Sequence, residues 1–251
     1  MPQDNPVIEI KDLKKVYHKS KISAIAGLNL TINKGEIFGL LGPNGAGKTT
    51  TISILCGLIK PTAGSIVIKH KELHPNIKDI KKVFGVAPQE IALFDKLTLV
   101  ENLKYYGRIY GLDGKQLKTQ IEGLLQLVGL DKKANQLINT YSGGMKRRAN
   151  LIAAVLHEPE ILYLDEPTVG VDVQSRKVIL DYIEKLKVEG ATIIYTSHYL
   201  EEAEKICDRI AIIDCGKKIA EGDPHDLIEK SKPGTNLEKL FIELTGSALR
   251  D

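Results

Sequence analysis

Long hydrophobic runs are absent from this 251-residue chain. The longest apolar stretches, such as Leu151–Leu156, fall far below the roughly 18 residues a membrane span needs, so no transmembrane helix is expected. Met1–Lys11 has no apolar run preceded by basic residues, so no signal peptide is expected either. Cysteine is scarce: Cys56, Cys207 and Cys215 lack metal-ligand spacing. That argues against a disulfide framework or structural zinc and fits a reducing cytoplasm. Cys207 and Cys215 flank an apolar strand pattern and are expected in the core. Glycine (22) and proline (10) are too few for a collagen-like or low-complexity chain, and 43% hydrophobic with 27% charged residues excludes wholesale disorder. Neither charge dominates: the net of +3 gives no strong global field for nucleic acid.

The length allows one large or two small domains at roughly 150 residues each, with a sizeable core. Charge is unevenly spread. Residues 1–150 carry 23 Lys and Arg against 12 Asp and Glu, a net of +11, and the remainder carries 12 against 20, a net of −8. A basic first half suits a phosphate-bearing ligand or a head-group surface; solvated helix faces account equally well for most of these lysines.

Val7-Ile8-Glu9-Ile10 and Leu28-Asn29-Leu30-Thr31-Ile32 alternate as strands do. After the turn Asn33-Lys34-Gly35, the run Ile37-Phe38-Gly39-Leu40-Leu41 is apolar throughout, the mark of a strand buried on both faces of a parallel sheet. A glycine-rich loop, Gly42–Gly47, ends it, and Thr49–Cys56 reads as a helix stopped by Gly57 and Pro61. Short strands return at Gly64–Ile68 and Val83–Val86. Leu97–Leu130 is helical, broken by Gly111, Gly114 and Gly129. From Pro159 onward, strand runs at Ile161–Leu164, Thr192–Tyr195 and Ile210–Ile213 alternate with helical patterns at Ser175–Lys187 and Leu200–Asp208. Such alternation implies a mostly parallel α/β sheet. The helical stretch between about 90 and 155 reads as an insertion into it, and Ser231–Asp251 as a short helical appendage after the Lys232-Pro233-Gly234 break.

Gly42-Pro43-Asn44-Gly45-Ala46-Gly47-Lys48-Thr49 has the Walker A spacing: two glycines four residues apart, then Lys-Thr. Glycines let consecutive backbone N–H groups converge on one anion. The helix that starts there adds its positive N-terminal end. Lys48 supplies a charge for the β- and γ-phosphates, and the Thr49 hydroxyl can ligate Mg²⁺. A plain glycine turn explains neither residue.

Ile161-Leu162-Tyr163-Leu164-Asp165-Glu166-Pro167 is an apolar strand ending in two carboxylates. Alone, such a pair is usually a helix cap or a solvated turn. In a chain that also has a Walker A loop it reads as Walker B, with Asp165 toward Mg²⁺ and Glu166 placed to polarise an attacking water. Tyr141-Ser142-Gly143-Gly144-Met145-Lys146-Arg147-Arg148 lies shortly before it and opens a helix.

On these three motifs the sequence resembles the ATP-binding cassette family of transporter ATPases, over nearly its full length. The last matches the family signature, with Tyr141 and Met145 departing from its usual Leu and Gln while Ser142, Gly143 and Gly144 are kept. The resemblance implies an α/β fold: a P-loop core with a mostly parallel sheet, an N-terminal antiparallel β subdomain and an inserted α-helical subdomain. Residues 1–89 would form the core with the β subdomain, 90–156 the helical subdomain, 157–230 the rest of the core and 231–251 an appendage. It further implies an ATP-binding site of Tyr17 (stacking on adenine), Gly42, Asn44, Gly45, Ala46, Gly47, Lys48, Thr49, Thr50 and, toward a second cassette, Ser142, Gly143 and Gly144. Thr49, Gln89 and Asp165 would hold Mg²⁺, and Glu166, His198, Gln89 and Lys48 would act in hydrolysis. Gly170-Val171-Asp172 resembles the loop that bridges two cassettes.

One cassette per chain implies head-to-tail dimerisation on ATP, as a homodimer or with a second cassette subunit. Permease subunits would be separate membrane proteins, and the location would be the cytoplasmic face of the cell membrane. Leu93, Phe94 and Leu97–Leu103 would line the permease groove beside Gln89 or form helical core. Leu97–Leu103 with Tyr105-Tyr106-Gly107, and the tail Asn236–Gly246, are similar to the branch of bacterial drug, lipid and sodium exporters. The rival class is a soluble cassette ATPase of translation or DNA repair. Its paired cassettes or long coiled-coil insertion are not in this sequence, and no nucleic acid is expected.

Overall fold

A computed structural model of the chain describes residues 5–17, 23–231 and 234–246. Met1–Asp4, the Lys232-Pro233 break and the tail beyond Gly246 lie outside the described residues. In chain order the elements are β1 (Pro6–Val16), β2 (Ser23–Asn33), β3 (Ile37–Leu41), α1 (Lys48–Leu55), β4 (Ala63–Ile68), β5 (Lys71–Glu72), α2 (Ile77–Ile80), β6 (Phe84–Ala87), α3 (Leu99–Ile109), α4 (Gly114–Leu127) and α5 (Gly143–Val155). They continue with β7 (Ile161–Asp165), α6 (Val173–Val188), β8 (Thr192–Thr196), α7 (Leu200–Ile206), β9 (Arg209–Asp214), β10 (Lys217–Gly222), α8 (Pro224–Glu229) and α9 (Leu237–Thr245). They fall into two compact units, residues 1–81 with 192–251, and residues 82–191.

The first unit contains an antiparallel sheet of order β2-β1-β4-β5. In β1 the apolar alternation that buries Ile8 and Ile10 slips before it buries Leu13. The slip is a bulge: the register shifts between Ile10 and Leu13, where Asp12 takes a φ of 46°. Beside this sheet's strands in sequence, β10-β9-β3-β8 pair in that order, with β3 parallel to both β8 and β9 and β10 as an antiparallel edge. All five residues of β3 are buried, as its unbroken apolar run requires of a strand with neighbours on both sides. In α9, Leu237, Leu240 and Phe241 are buried, the i, i+3, i+4 stripe of a helix docked on one face.

In the second unit β6 and β7 pair in parallel. α3 begins with a reciprocal capping box between Thr98 and Glu101, and the buried Asn102 fastens the preceding loop by bonding both Phe94 N and Phe94 O. The architecture is the expected mixed α/β one: a parallel sheet, an antiparallel N-terminal sheet, and helices between β6 and β7.

One expectation fails. Cys207 is buried, but Cys215 is exposed. It sits in the turn between β9 and β10 with a φ of 47°, its amide bonded to the Asp214 carboxylate. The strand's burial pattern stops at Asp214, and a residue in the turn inherits none of it. Burial also sorts the segment after Gln89. Leu93, Leu99 and Leu103 are interior, whereas Phe94 and Tyr105 are each 47% exposed.

Candidate functional site

In the first unit, the loop after β3 ends on a glycine that opens helix α1. Gly47 takes a φ of 108°, and a Cβ there would meet the Ala24 carbonyl oxygen at 2.5 Å; only glycine fits. It is the N-cap of α1, which carries no side-chain cap and no acidic residue in its first turn. The positive end of that helix is therefore open to an anion. Lys48 is buried, and its ammonium donates to the carbonyls of Gly42 and Pro43 at 2.7 and 3.2 Å. Asn44, Gly45 and Thr49 are exposed, Ala46 is buried and Thr50 is half-buried. Donors, an ammonium and an accessible hydroxyl in one loop suit a polyphosphate.

Gly39 in β3 is the register partner of Tyr195 in β8. The phosphate loop and His198 thus follow the same ends of adjacent parallel strands. His198 is half-buried on a segment locked by a buried network. Tyr195 Oη donates to Glu202 at 2.5 Å, and Ser197 Oγ accepts from the Tyr199 amide at 2.9 Å. Tyr17 follows β1 and is 42% exposed, with the Lys15 ammonium 5.3 Å from its ring centre.

In the second unit, β7 ends at Asp165, and Glu166 turns away with a φ of 52°; both carboxylates are buried. Ala87 and Leu164 are register partners, so Gln89 leaves β6 beside the two acids. Among the described residues no three His, Cys, Asp or Glu cluster as a metal cage. Within this unit Asp165 and Gln89 offer oxygen donors of the hard kind suited to Mg²⁺ carried on substrate phosphates.

Ser142 caps α5, its hydroxyl accepting from Met145 N at 3.3 Å. Gly144 is fixed by contact: a Cβ there would lie 2.3 Å from Ser175 Oγ and 2.9 Å from Asp172 Oδ2. Those two residues cap α6, with Ser175 N donating to Asp172 at 2.8 Å, and these bonds hold the Asp172 carboxyl below the usual range. The signature helix and the Gly170–Asp172 loop therefore pack start to start. Tyr141 is buried, and its hydroxyl donates to the Lys133 carbonyl at 2.8 Å. Its departure from the family's usual residue is accommodated as core.

Two residues of α5 make contacts that no local sequence pattern signals. Arg147 donates from Nε to the Val169 carbonyl at 3.4 Å and from Nη1 to the Gln89 carbonyl. The buried Asn150 accepts from Ala92 N at 3.1 Å and donates to Pro88 O at 3.2 Å. Both are i, i+3 neighbours on one helix face, but only the fold reveals which loop that face meets.

An anion-suited loop opening a helix in the first unit, on this α/β fold, points to a phosphate-binding protein of the P-loop class. The family model described as ABC transporter matches residues 25–169. The chain is 44% identical over 245 residues to the linearmycin resistance ATP-binding protein of Bacillus subtilis (strain 168), spanning 98% of this chain and 76% of that one. It is 38% identical over 241 residues to the Nod factor export ATP-binding protein I of Cupriavidus pinatubonensis (strain JMP 134 / LMG 1197), spanning 96% and 73%. A dimeric ATP-binding cassette in a post-hydrolysis state bound to ADP and Pi superposes with a TM-score of 0.80 at 26% identity, covering 86% of this chain and 98% of that one. The chain belongs to the ABC transporter family, as an ATP-binding and ATP-hydrolysing subunit.

Proposed function

We propose that this subunit drives export through separate membrane-embedded permease subunits, by closing head to tail on ATP with a second cassette and reopening after hydrolysis. The observation that carries the ATPase reading is the α1 N-terminus without a side-chain cap, preceded by Gly47 and starting at Lys48. Resistance and export in the relatives' names support the outward direction, and the dimeric neighbour supports the closure. No helix among the described residues is long and apolar enough to cross a membrane, so transport requires partner subunits. The cytoplasmic membrane face is the corresponding location. Phe94, Tyr105 and Tyr106 form an outward aromatic cluster just beyond Gln89, with centroid distances of 5.1–6.4 Å; it offers the permease an amphipathic surface.

Phosphoryl transfer is mostly positioning and charge neutralisation. Lys48 leaves its own loop carbonyls for the β,γ-phosphates, with the loop from Gly42 to Thr50 around them. Tyr17 supplies a face for adenine. Glu166 orients the attacking water and takes its proton. His198 and Gln89 hold the γ-phosphate and the water, and Ser142, Gly143 and Gly144 offer donors to the nucleotide of the partner cassette. Thr49, Gln89 and Asp165 would hold Mg²⁺, which when bound neutralises developing phosphate charge. A pull-down of the tagged chain from detergent-solubilised membranes tests the assembly. A stoichiometric polytopic partner is the expected result; a chain that co-purifies only with ribosomes or nucleic acid would overturn it.

A further inference from the structure

Helix α5 does more than present the signature at its N-terminus. Three residues on its next turn hold the loop that carries Gln89. Asn150 straddles the loop, donating to the Pro88 carbonyl on one side of Gln89 and accepting from the Ala92 amide on the other. Arg147 takes the Gln89 carbonyl itself and, through Nε, the Val169 carbonyl beyond the acidic strand. Lys146 adds an ion pair to Asp95 at 3.5 Å. Asn150 is 4% exposed. A buried amide with both ends satisfied by backbone allows only one loop geometry, because any shift leaves a buried polar atom unmet. The Arg147 guanidinium is half-buried at some cost: burial pushes its pKa down, and the Glu166 and Asp165 carboxylates draw it back up. An arginine needed only for solubility would stay in water. Its planar fork, with donors in two directions, suits bridging two backbone carbonyls of different segments.

We propose that Arg147 and Asn150 are positioning residues that set the backbone of the Gln89 loop against the end of β7, so that the signature helix dictates where Gln89 acts. This rests on the reading of Gln89 as an active-site residue, and the test separates the two. Hydrogen–deuterium exchange of the nucleotide-free full chain reads the position directly. In Asn150→Ala and Arg147→Met, peptides covering 88–95 should exchange about fivefold faster, as the loss of one net hydrogen bond implies. Peptides of β3 and β8 should be unchanged. Steady-state hydrolysis reads the consequence: kcat should fall about 10–100-fold while KM for ATP moves less than about threefold. Arg147→Lys, which keeps charge but not the fork, should recover the fold's stability without recovering kcat. In a Gln89→Ala background, Arg147→Met should cost almost nothing further.

Unchanged exchange over 88–95 overturns the proposal, as does a full additional loss of kcat on top of Gln89→Ala. Should Gln89→Ala itself hydrolyse ATP at the normal rate, the Gln89 reading fails, and the exchange result still decides whether α5 positions the loop. Asn150→Asp, which keeps an acceptor for Ala92 but loses the donor to Pro88, serves where the alanine variant does not fold.

Discussion

Ala87 of β6 stands in register with Leu164 of β7. Gln89 and the Asp165-Glu166 pair therefore leave neighbouring parallel strands at the same end, the edge at which open α/β sheets bind ligands. Glu166 turns off that edge with a φ of 52°. In Glu166→Gln the side chain keeps its size but can no longer accept a proton from water. Hydrolysis is expected to fall about 10²–10⁴-fold with ATP binding retained, and the chain should accumulate as a nucleotide-bound dimer. Size-exclusion chromatography with light scattering in saturating Mg-ATP checks this; a monomer there would sink the head-to-tail reading.

Lys48 tests the phosphate loop. Its ammonium bonds the carbonyls of Gly42 and Pro43, so the charge is stored inside the loop rather than in solvent. Removing one stabilising donor at a charge-developing centre costs about 100-fold or more in turnover, the loss expected of Lys48→Ala. Lys48→Met keeps the buried stem, so an equal loss in both variants, with unchanged unfolding midpoints, assigns the effect to the charge.

Much of this was legible because some strands advertise themselves. β3 and β7 are continuous apolar runs ended by Gly42 and by two acids, and burial on both sides leaves no room for polar residues. β10 and β5 are polar edge strands, Lys217–Gly222 and Lys71–Glu72, whose sequences carry no alternation to read. The alternation of β1 is legible only as far as Ile10, because the bulge at Asp12 breaks its period of two. The candidate site divided the same way. Phosphate-loop and acidic-strand residues announce their chemistry by type and spacing. Contacts such as Gly144 against Ser175, or Asn150 around Gln89, join segments that are remote in sequence, and no local pattern encodes which loop a helix face meets.

Gly144 gives a stability prediction with its own control. A methyl at this position would press to 2.3 Å from Ser175 Oγ and 2.8 Å from Ser175 Cβ. Overpacking of this kind costs roughly 1–3 kcal/mol, so Gly144→Ala should lower the urea midpoint accordingly. Adding Ser175→Gly removes these two atoms, leaving only the Asp172 Oδ2 contact at 2.9 Å, and should restore part of the loss, less whatever the helix gives up. If the double variant is weaker by the full sum of the single changes, the clash is not the cause.

His157 makes stability in the second unit depend on pH. Its ring stacks on Tyr110 with centroids 3.5 Å apart and planes 5° apart, and Nε2 lies 3.1 Å from the Phe84 carbonyl. A carbonyl only accepts, so Nε2 carries the hydrogen. Burial pushes the imidazole pKa down, and the Phe84 bond opposes this less strongly. The unfolded chain keeps a value near the ordinary one of about 6.5. Between the two values the unfolded state binds a proton that the folded state refuses. Stability from this residue is therefore intact above about 6.5, begins to fall as pH drops through that value, and is fully lost below the folded value. His157→Gln cannot titrate. Urea midpoints taken from pH 8 down to pH 5 should fall more steeply for the native chain than for the variant, and parallel curves would show that the imidazole is not held neutral by its surroundings.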